Sequence, residues 1–142
     1  MADDLSHLTR DWLTKASHDL QAARIVSVAP DGPLDTAIYN CQQAAEKALK
    51  GWLTWRGLEA AKTHDLVRLL GEAADDNADF SQFEEAAEIL TPYASAFRYP
   101  GLTADPMPSG EEFEEALRQA QAIYNFVIAL LPPTTRPEPT KS

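Results

Sequence analysis

Five basic side chains are concentrated in one stretch of an otherwise acidic chain. Lys47, Lys50, Arg56, Lys62 and Arg68 fall within 22 residues, and they make up five of the twelve Lys and Arg residues. Lys and Arg are the side chains that neutralise the phosphates of nucleic acids. The stretch is therefore compatible with a phosphate-binding surface, and equally with an ordinary solvated face.

Lys47 and Lys50 are three residues apart, so on a helix they lie on the same side. Glu46 precedes Lys50 by four residues, which is the spacing of an ordinary surface ion pair. One interpretation is such a surface pair. The other is a pair of lysines that contacts phosphate near Arg56 and Lys62.

His64 follows Thr63 at the expected start of a helix. Its structural interpretation is a ring that packs on, or caps, the first turn. Its functional interpretation is a titratable group at a helix N-terminus, where anions are favoured.

The tripeptide Arg98-Tyr99-Pro100 follows a predicted helix. Arg98 would suit the negative end of that helix, with Tyr99 packed under the loop. Alternatively, the guanidinium of Arg98 binds a phosphate or a partner's carboxylate through its two-pronged donor edge.

Other site chemistries find little support. Cys41 is the single cysteine, so an intrachain disulfide is excluded, and we expect it to be a small buried side chain. The three histidines are scattered along the chain, so we expect neither a metal site nor a cofactor.

The overall charge argues against DNA as a partner. The formal net charge is −10, and residues 71–90 contain seven acids and no base. No apolar run approaches the ~20 residues of a membrane helix, and the N-terminus lacks the features of a signal peptide. We expect a cytoplasmic protein that does not contact membranes.

Helical periodicity runs through the chain, and no segment alternates as a strand does. Helix two carries an apolar stripe at steps of four and three, and Pro92 predicts an interruption of helix four between Glu88 and Thr91. Ser109 and Glu112 predict a capping box for helix five. The predicted helices are 5–28, 34–57, 64–74 (capped by Thr63), 80–97 and 110–131.

These elements predict an all-α, up-and-down antiparallel bundle of four long helices plus one short helix. Residues 1–131 form the single domain, and the Pro- and Thr-rich residues 132–142 are expected to be disordered. The apolar face of helix two, with Trp52 and Trp55 near its end, is wider than one bundle contact requires. We therefore expect a homodimer with these tryptophans at its interface.

The combination of motifs resembles a known family. YNCQQAAEKALKGWL is followed by KTHDL and, before the last helix, by RYP. Together these resemble the HEPN domain (higher eukaryotes and prokaryotes nucleotide-binding), over about residues 5–131. The resemblance implies a dimerising bundle of four or five helices, often encoded beside a minimal nucleotidyltransferase in a toxin–antitoxin-like module.

Some HEPN domains are metal-independent ribonucleases that use an Arg followed, after four to six residues, by a His. Here no histidine follows Arg98 or Arg118, and seven residues separate Arg10 from His18. The ribonuclease motif is absent, although the sequence leaves enzymatic activity open.

We therefore expect a non-catalytic HEPN protein that binds a nucleotide or RNA phosphate and acts with a nucleotidyltransferase. Two alternatives are a ribonuclease toxin with a non-standard residue set, such as His64 with Arg98, and a purely structural interaction module. The candidate ligand-binding residues are Lys47, Lys50, Lys62, His64, Arg98 and Tyr99.

Overall fold

The computed structural model describes residues 2–137, with side chains from Leu5 onward. Within that range the chain is helical and contains no strand, which confirms the predicted all-α bundle. The α-helices are α1 (Ala2–Val28), α2 (Leu34–Trp55), α3 (Leu66–Asp76), α4 (Glu84–Leu90) and α5 (Gly110–Leu130). None of these helices is long and apolar enough to cross a membrane.

The pair α1 and α2 forms the most extensive helix–helix contact in the described chain. A Cβ atom at Gly51 of α2 would clash with the side chain of Leu13 and would lie 3.2 Å from Cβ of Trp12. Glycine costs roughly 1 kcal/mol relative to alanine inside a helix. Here the missing side chain allows α1 and α2 to approach each other.

The fourth helical segment is divided, as the sequence predicts. A 3₁₀ helix (Ala78–Phe83) leads into α4, and a second 3₁₀ helix (Thr91–Ala94) follows it. The change at Thr91 falls just before Pro92, which cannot donate a backbone hydrogen bond to the preceding turn. The regular helix therefore ends where the interruption was expected.

The start of α3 differs from the prediction. Its N-cap is Asp65, whose side chain accepts a hydrogen bond from the backbone N–H of Val67 at 3.0 Å. The predicted cap, Thr63, instead accepts the backbone N–H of Asp65 at 3.0 Å. His64 consequently belongs to the loop before the helix. The predicted capping box of α5, Ser109 with Glu112, is present.

The beginning of the predicted tail is packed against the bundle. Residues 133–135 form a 3₁₀ helix, Thr135 is fully buried, and Arg10 of α1 donates to the backbone oxygen of Thr134 at 3.1 Å. The first residues of this segment thus contact the bundle, and the expected disorder of 132–142 as a whole stays a prediction. The remainder of the predicted tail, 138–142, lies outside the described residues.

Candidate functional site

Glu46 lies at the centre of a polar cluster on α2. It is 4% exposed, and its carboxylate accepts hydrogen bonds from Gln42 at 3.1 Å and from Lys50 at 3.0 Å. Nδ1 of His64, in the loop before α3, lies 2.8 Å from the same carboxylate. Residues 42, 46 and 50 recur every four positions, so they lie along one side of the helix.

The hydrogen bonds decide the ionisation of Glu46. Burial alone would raise the pKa of its carboxyl group, because a low dielectric disfavours charge. Hydrogen bonds from His64, Lys50 and Gln42, together with the positive charge of Lys50, outweigh burial and lower this pKa below its usual value. Glu46 is thus a buried carboxylate held in its charged form.

This arrangement corrects one interpretation of the sequence. Glu46 and Lys50 do form the predicted pair, but the pair is largely shielded from solvent. The aliphatic part of Lys50 extends towards α1, and its Nζ lies 5.8 Å from the ring centre of Trp12. The pattern of charges along α2 gave no sign of this burial.

Lys47 is also paired within the chain. Its Nζ lies 2.7 Å from Oδ2 of Asp19, so it joins α2 to α1. Lys47 and Lys50 of α2 therefore both have carboxylate partners. A phosphate that binds through them would compete with these carboxylates for the N–H donors.

His64 and Lys62 lie in the loop between α2 and α3. The side chain of His64 is 69% exposed although its Nδ1 contacts buried Glu46, so the ring joins the interior to solvent. Lys62 is exposed, and the described part of the chain provides it with no ion pair.

Arg98 lies on the ring of Tyr39. The centre of its guanidinium is 3.9 Å from the ring centroid, a cation–π contact that the sequence did not reveal. In the described residues no carboxylate forms an ion pair with Arg98. Its guanidinium is therefore held in place by an aromatic face rather than by an ion pair.

A cleft surrounds Arg98. It consists of two adjoining hollows of about 440 and 410 Å³ that share Asp35, Phe97 and Arg98. The first is bordered by the loop of Tyr99 and Met107, and the second by the first turn of α2. Tyr99 is 58% exposed at this border, so it is not packed under the loop.

The structure thus divides the six candidate residues into groups. Arg98 and Tyr99 line the cleft, Lys47, Lys50 and His64 are held by acids, and Lys62 is exposed. Tyr39 and Glu46, which position Arg98 and His64 respectively, are seven residues apart, or roughly 10 Å along a helix.

The two tryptophans proposed for a dimer interface occupy different environments. Trp52 is 6% exposed and packs within the chain, with its ring 5.4 Å from that of Phe80. Trp55 is partly buried at the edge of the core. Trp52 is therefore a core residue of the chain.

No group of three or more His, Cys, Asp or Glu residues that could hold a metal ion occurs in the described part of the chain.

Comparison with known proteins identifies a matching family and a similar solved structure. The model of the HEPN domain family matches residues 9–130. The crystal structure of TT1696 from Thermus thermophilus is similar with a TM-score of 0.75 and 36% sequence identity, over 87% of this chain and 98% of that chain. No curated protein matches the chain.

Proposed function

We propose, on the premise that this chain belongs to the HEPN domain family, that it is a non-catalytic nucleotide- or RNA-binding protein. In this proposal it acts in the cytoplasm as the partner of a minimal nucleotidyltransferase in a toxin–antitoxin-like module. The observation that carries the binding role is the cleft in which Arg98 lies over Tyr39 without a carboxylate partner.

Arg98 is the phosphate-binding group of this proposal. Stacking on Tyr39 restricts the plane of its guanidinium, and a planar guanidinium offers paired donors that match phosphate oxygens. The first turn of α2 borders the same cleft, and there the backbone N–H of Thr36 donates to the carboxylate of Asp35 at 2.8 Å.

The rest of the cleft suits the other parts of a nucleotide. Phe97, Tyr99 and Met107 offer apolar surface for a base, and the carboxylate of Asp35 can accept hydrogen bonds from ribose hydroxyls. Each hollow falls within the range of ~300–1,000 Å³ that is usual for small-ligand sites.

The geometry supports a role without catalysis. RNA cleavage by general acid/base chemistry needs the base and the charge-stabilising group to reach the same phosphate. Here Tyr39 positions Arg98, and Glu46 positions His64. Tyr39 and Glu46 lie two helical turns apart on α2. The proposal therefore assigns binding to Arg98 and a structural role to His64.

One observation favours the ribonuclease alternative. Glu46 holds Nδ1 of an exposed histidine, as a carboxylate orients the histidine of known catalytic sites. A gel assay on cellular RNA with the wild type, His64→Ala and Arg98→Ala separates the two functions. RNA cleavage that the wild type shows and that both variants lack would favour the ribonuclease function over the binding function.

The proposal includes a homodimer, for which Trp55 is the remaining candidate of the two tryptophans. Sedimentation of the wild type and of Trp55→Ala tests this part. A monomeric wild type would contradict the homodimer, and it would not bear on the proposed site at Arg98.

Binding is tested by calorimetric titration with AMP, ATP and a short single-stranded RNA. We expect Arg98→Ala to weaken binding at least tenfold and Arg98→Lys to restore only part of it, because lysine lacks the planar donor edge. Arg118→Ala is the matched control, since Arg118 is exposed and pairs with Glu115 on α5. Unchanged affinity in Arg98→Ala would contradict the proposed site.

The partner is tested separately, by co-expression with the nucleotidyltransferase encoded in the neighbouring reading frame of the native host. Co-purification of the two chains is expected. An absent nucleotidyltransferase, or one that does not co-purify, would overturn this part of the proposal.

A further inference from the structure

A second concave surface lies on the acidic side of the molecule, between α3 and α4. Its volume is about 230 Å³, and Leu70 and Ala87 form its buried floor. Val67, Gly71 and Ala74 line the α3 side, while Glu84 and Glu88 line the α4 side. We refer to this surface, defined by these residues, as the α3–α4 groove.

The α3 wall of the groove is apolar and open. Val67, Gly71 and Ala74 are spaced by four and three residues, so they form one stripe along the helix. Val67 is 48% exposed although it is a β-branched apolar side chain. The stripe thus presents apolar surface that the described chain does not cover.

Gly71 differs from Gly51 in a way that bears on the groove. At Gly51 a Cβ atom would meet Leu13 and Trp12, so packing within the chain accounts for that glycine. At Gly71 a Cβ atom would meet nothing within 4 Å. A helical glycine costs roughly 1 kcal/mol relative to alanine, and no contact within the described chain explains it here. Its effect is to deepen the groove.

The rim of the groove is negatively charged. Glu84 and Glu88 are exposed and form no ion pair within the described residues. They lie in the stretch 71–90, which contains seven acids and no base. The groove therefore combines an apolar floor with unpaired carboxylates along one edge.

We propose that the α3–α4 groove is a docking site for an amphipathic, basic helix of a partner protein. The apolar side chains of that helix would enter over Gly71, and its Lys or Arg residues would pair with Glu84 and Glu88. A helix in a groove uses anchors at the same four-and-three spacing that Val67, Gly71 and Ala74 present. This inference concerns a different face from the Arg98 cleft and does not depend on nucleotide binding.

The probe is a synthetic helical peptide with leucine on one face and lysine on the other. Its matched control carries glutamate in place of lysine. Titration of the labelled protein, followed by NMR, is expected to shift the backbone amides of Val67, Gly71 and Ala74 with the lysine peptide only. Equal shifts with the glutamate peptide, or shifts confined to other surfaces, would overturn the proposal.

Two variants of the groove test its shape and charge separately. Gly71→Leu fills the open space with a good helix former, and Glu84→Lys with Glu88→Lys reverses the rim. Each variant is expected to bind the lysine peptide at least tenfold more weakly than the wild type does. The control is the double variant Asp11→Lys with Glu114→Lys, on α1 and α5, which makes the same change in net charge. Its affinity for the lysine peptide is expected to fall less than threefold.

Equal loss of affinity in the two charge-reversed doubles would mean that only overall charge matters, and it would overturn the proposal. The proposal would also be overturned if Gly71→Leu were folded, as judged by circular dichroism, and bound the lysine peptide as tightly as the wild type does. Self-association of the wild type that Gly71→Leu abolishes would assign the groove to a second copy of this chain instead.

Discussion

The carboxylate of Glu46 lies 2.8 Å from Nδ1 of His64, and this contact joins the interior side of α2 to the loop that precedes α3. Gln42 reinforces the same junction, because its side-chain amide donates to the backbone oxygen of His64 at 3.2 Å. Loop and helix are therefore held together by one buried charge.

Replacement of that charge should destabilise the fold. We expect Glu46→Gln to lower the free energy of unfolding by about 1–3 kcal/mol, because His64 and Lys50 lose a charged acceptor. Chemical denaturation at pH 7 measures the loss. Glu111→Gln, an exposed acid on α5, is the control, and equal effects of the two changes would contradict the role of Glu46.

The pH dependence of stability has a defined sign. Because the pKa of Glu46 is lower in the folded protein than the ordinary 4.5, the unfolded chain binds more protons as acid is added. The stabilisation is present above pH 4.5 and is lost as the pH falls through the folded value. Below pH 4.5 the stability difference between wild type and Glu46→Gln should shrink, and a constant difference would contradict this.

Two glycines should respond in opposite directions to the same substitution. Gly51→Ala is expected to cost about 1–3 kcal/mol, because the new methyl group forces α1 and α2 apart. Gly71→Ala is expected to add up to about 1 kcal/mol, since its helical position is open. Thermal unfolding of both variants provides the measurement, and a destabilised Gly71→Ala would mean that the space beside α3 is filled.

Cys41 should be inert in the native protein. Burial raises the pKa of its thiol to about 12, so almost no thiolate forms at neutral pH. With a thiol-specific reagent at pH 8 we expect reaction only after denaturant is added. Rapid labelling of the folded protein would show that the packing around α2 opens readily.

The end of the chain should contribute to stability. Removal of residues 132–142 deletes buried Thr135 and the contacts of Arg136 with the backbone oxygens of Ile128 and Leu131. We expect a lower melting temperature for this truncation than for the full chain. An unchanged melting temperature would mean that the packing of 132–137 does not stabilise the fold.

Much of the fold could be predicted because it depends on local patterns. The apolar stripe of α2, the interruption near Pro92 and the capping box at Ser109 are all encoded within a few residues of where they act. The predicted cap of α3, Thr63, was wrong, because Thr63 and Asp65 are both good capping residues. Only the path of the loop decides between them.

The site could not be predicted in the same way. Glu46 has the spacing of a surface pair, and its burial arises only when the His64 loop folds over it. The contact between Arg98 and Tyr39 joins residues that are distant in sequence, and helical periodicity carries no information about such a contact. The sequence did show the acids of residues 71–90, two of which, Glu84 and Glu88, line the α3–α4 groove.

The pairing of Lys47 with Asp19 and of Lys50 with Glu46 has a consequence for association kinetics. These paired lysines form no locally positive surface that could offset the field of the whole protein, which at long range is set by its excess of ten negative charges. An anion approaching Arg98 must cross a repulsive potential that salt screens. Added salt should therefore speed the first encounter with a nucleotide, the reverse of the usual behaviour of nucleic-acid-binding proteins.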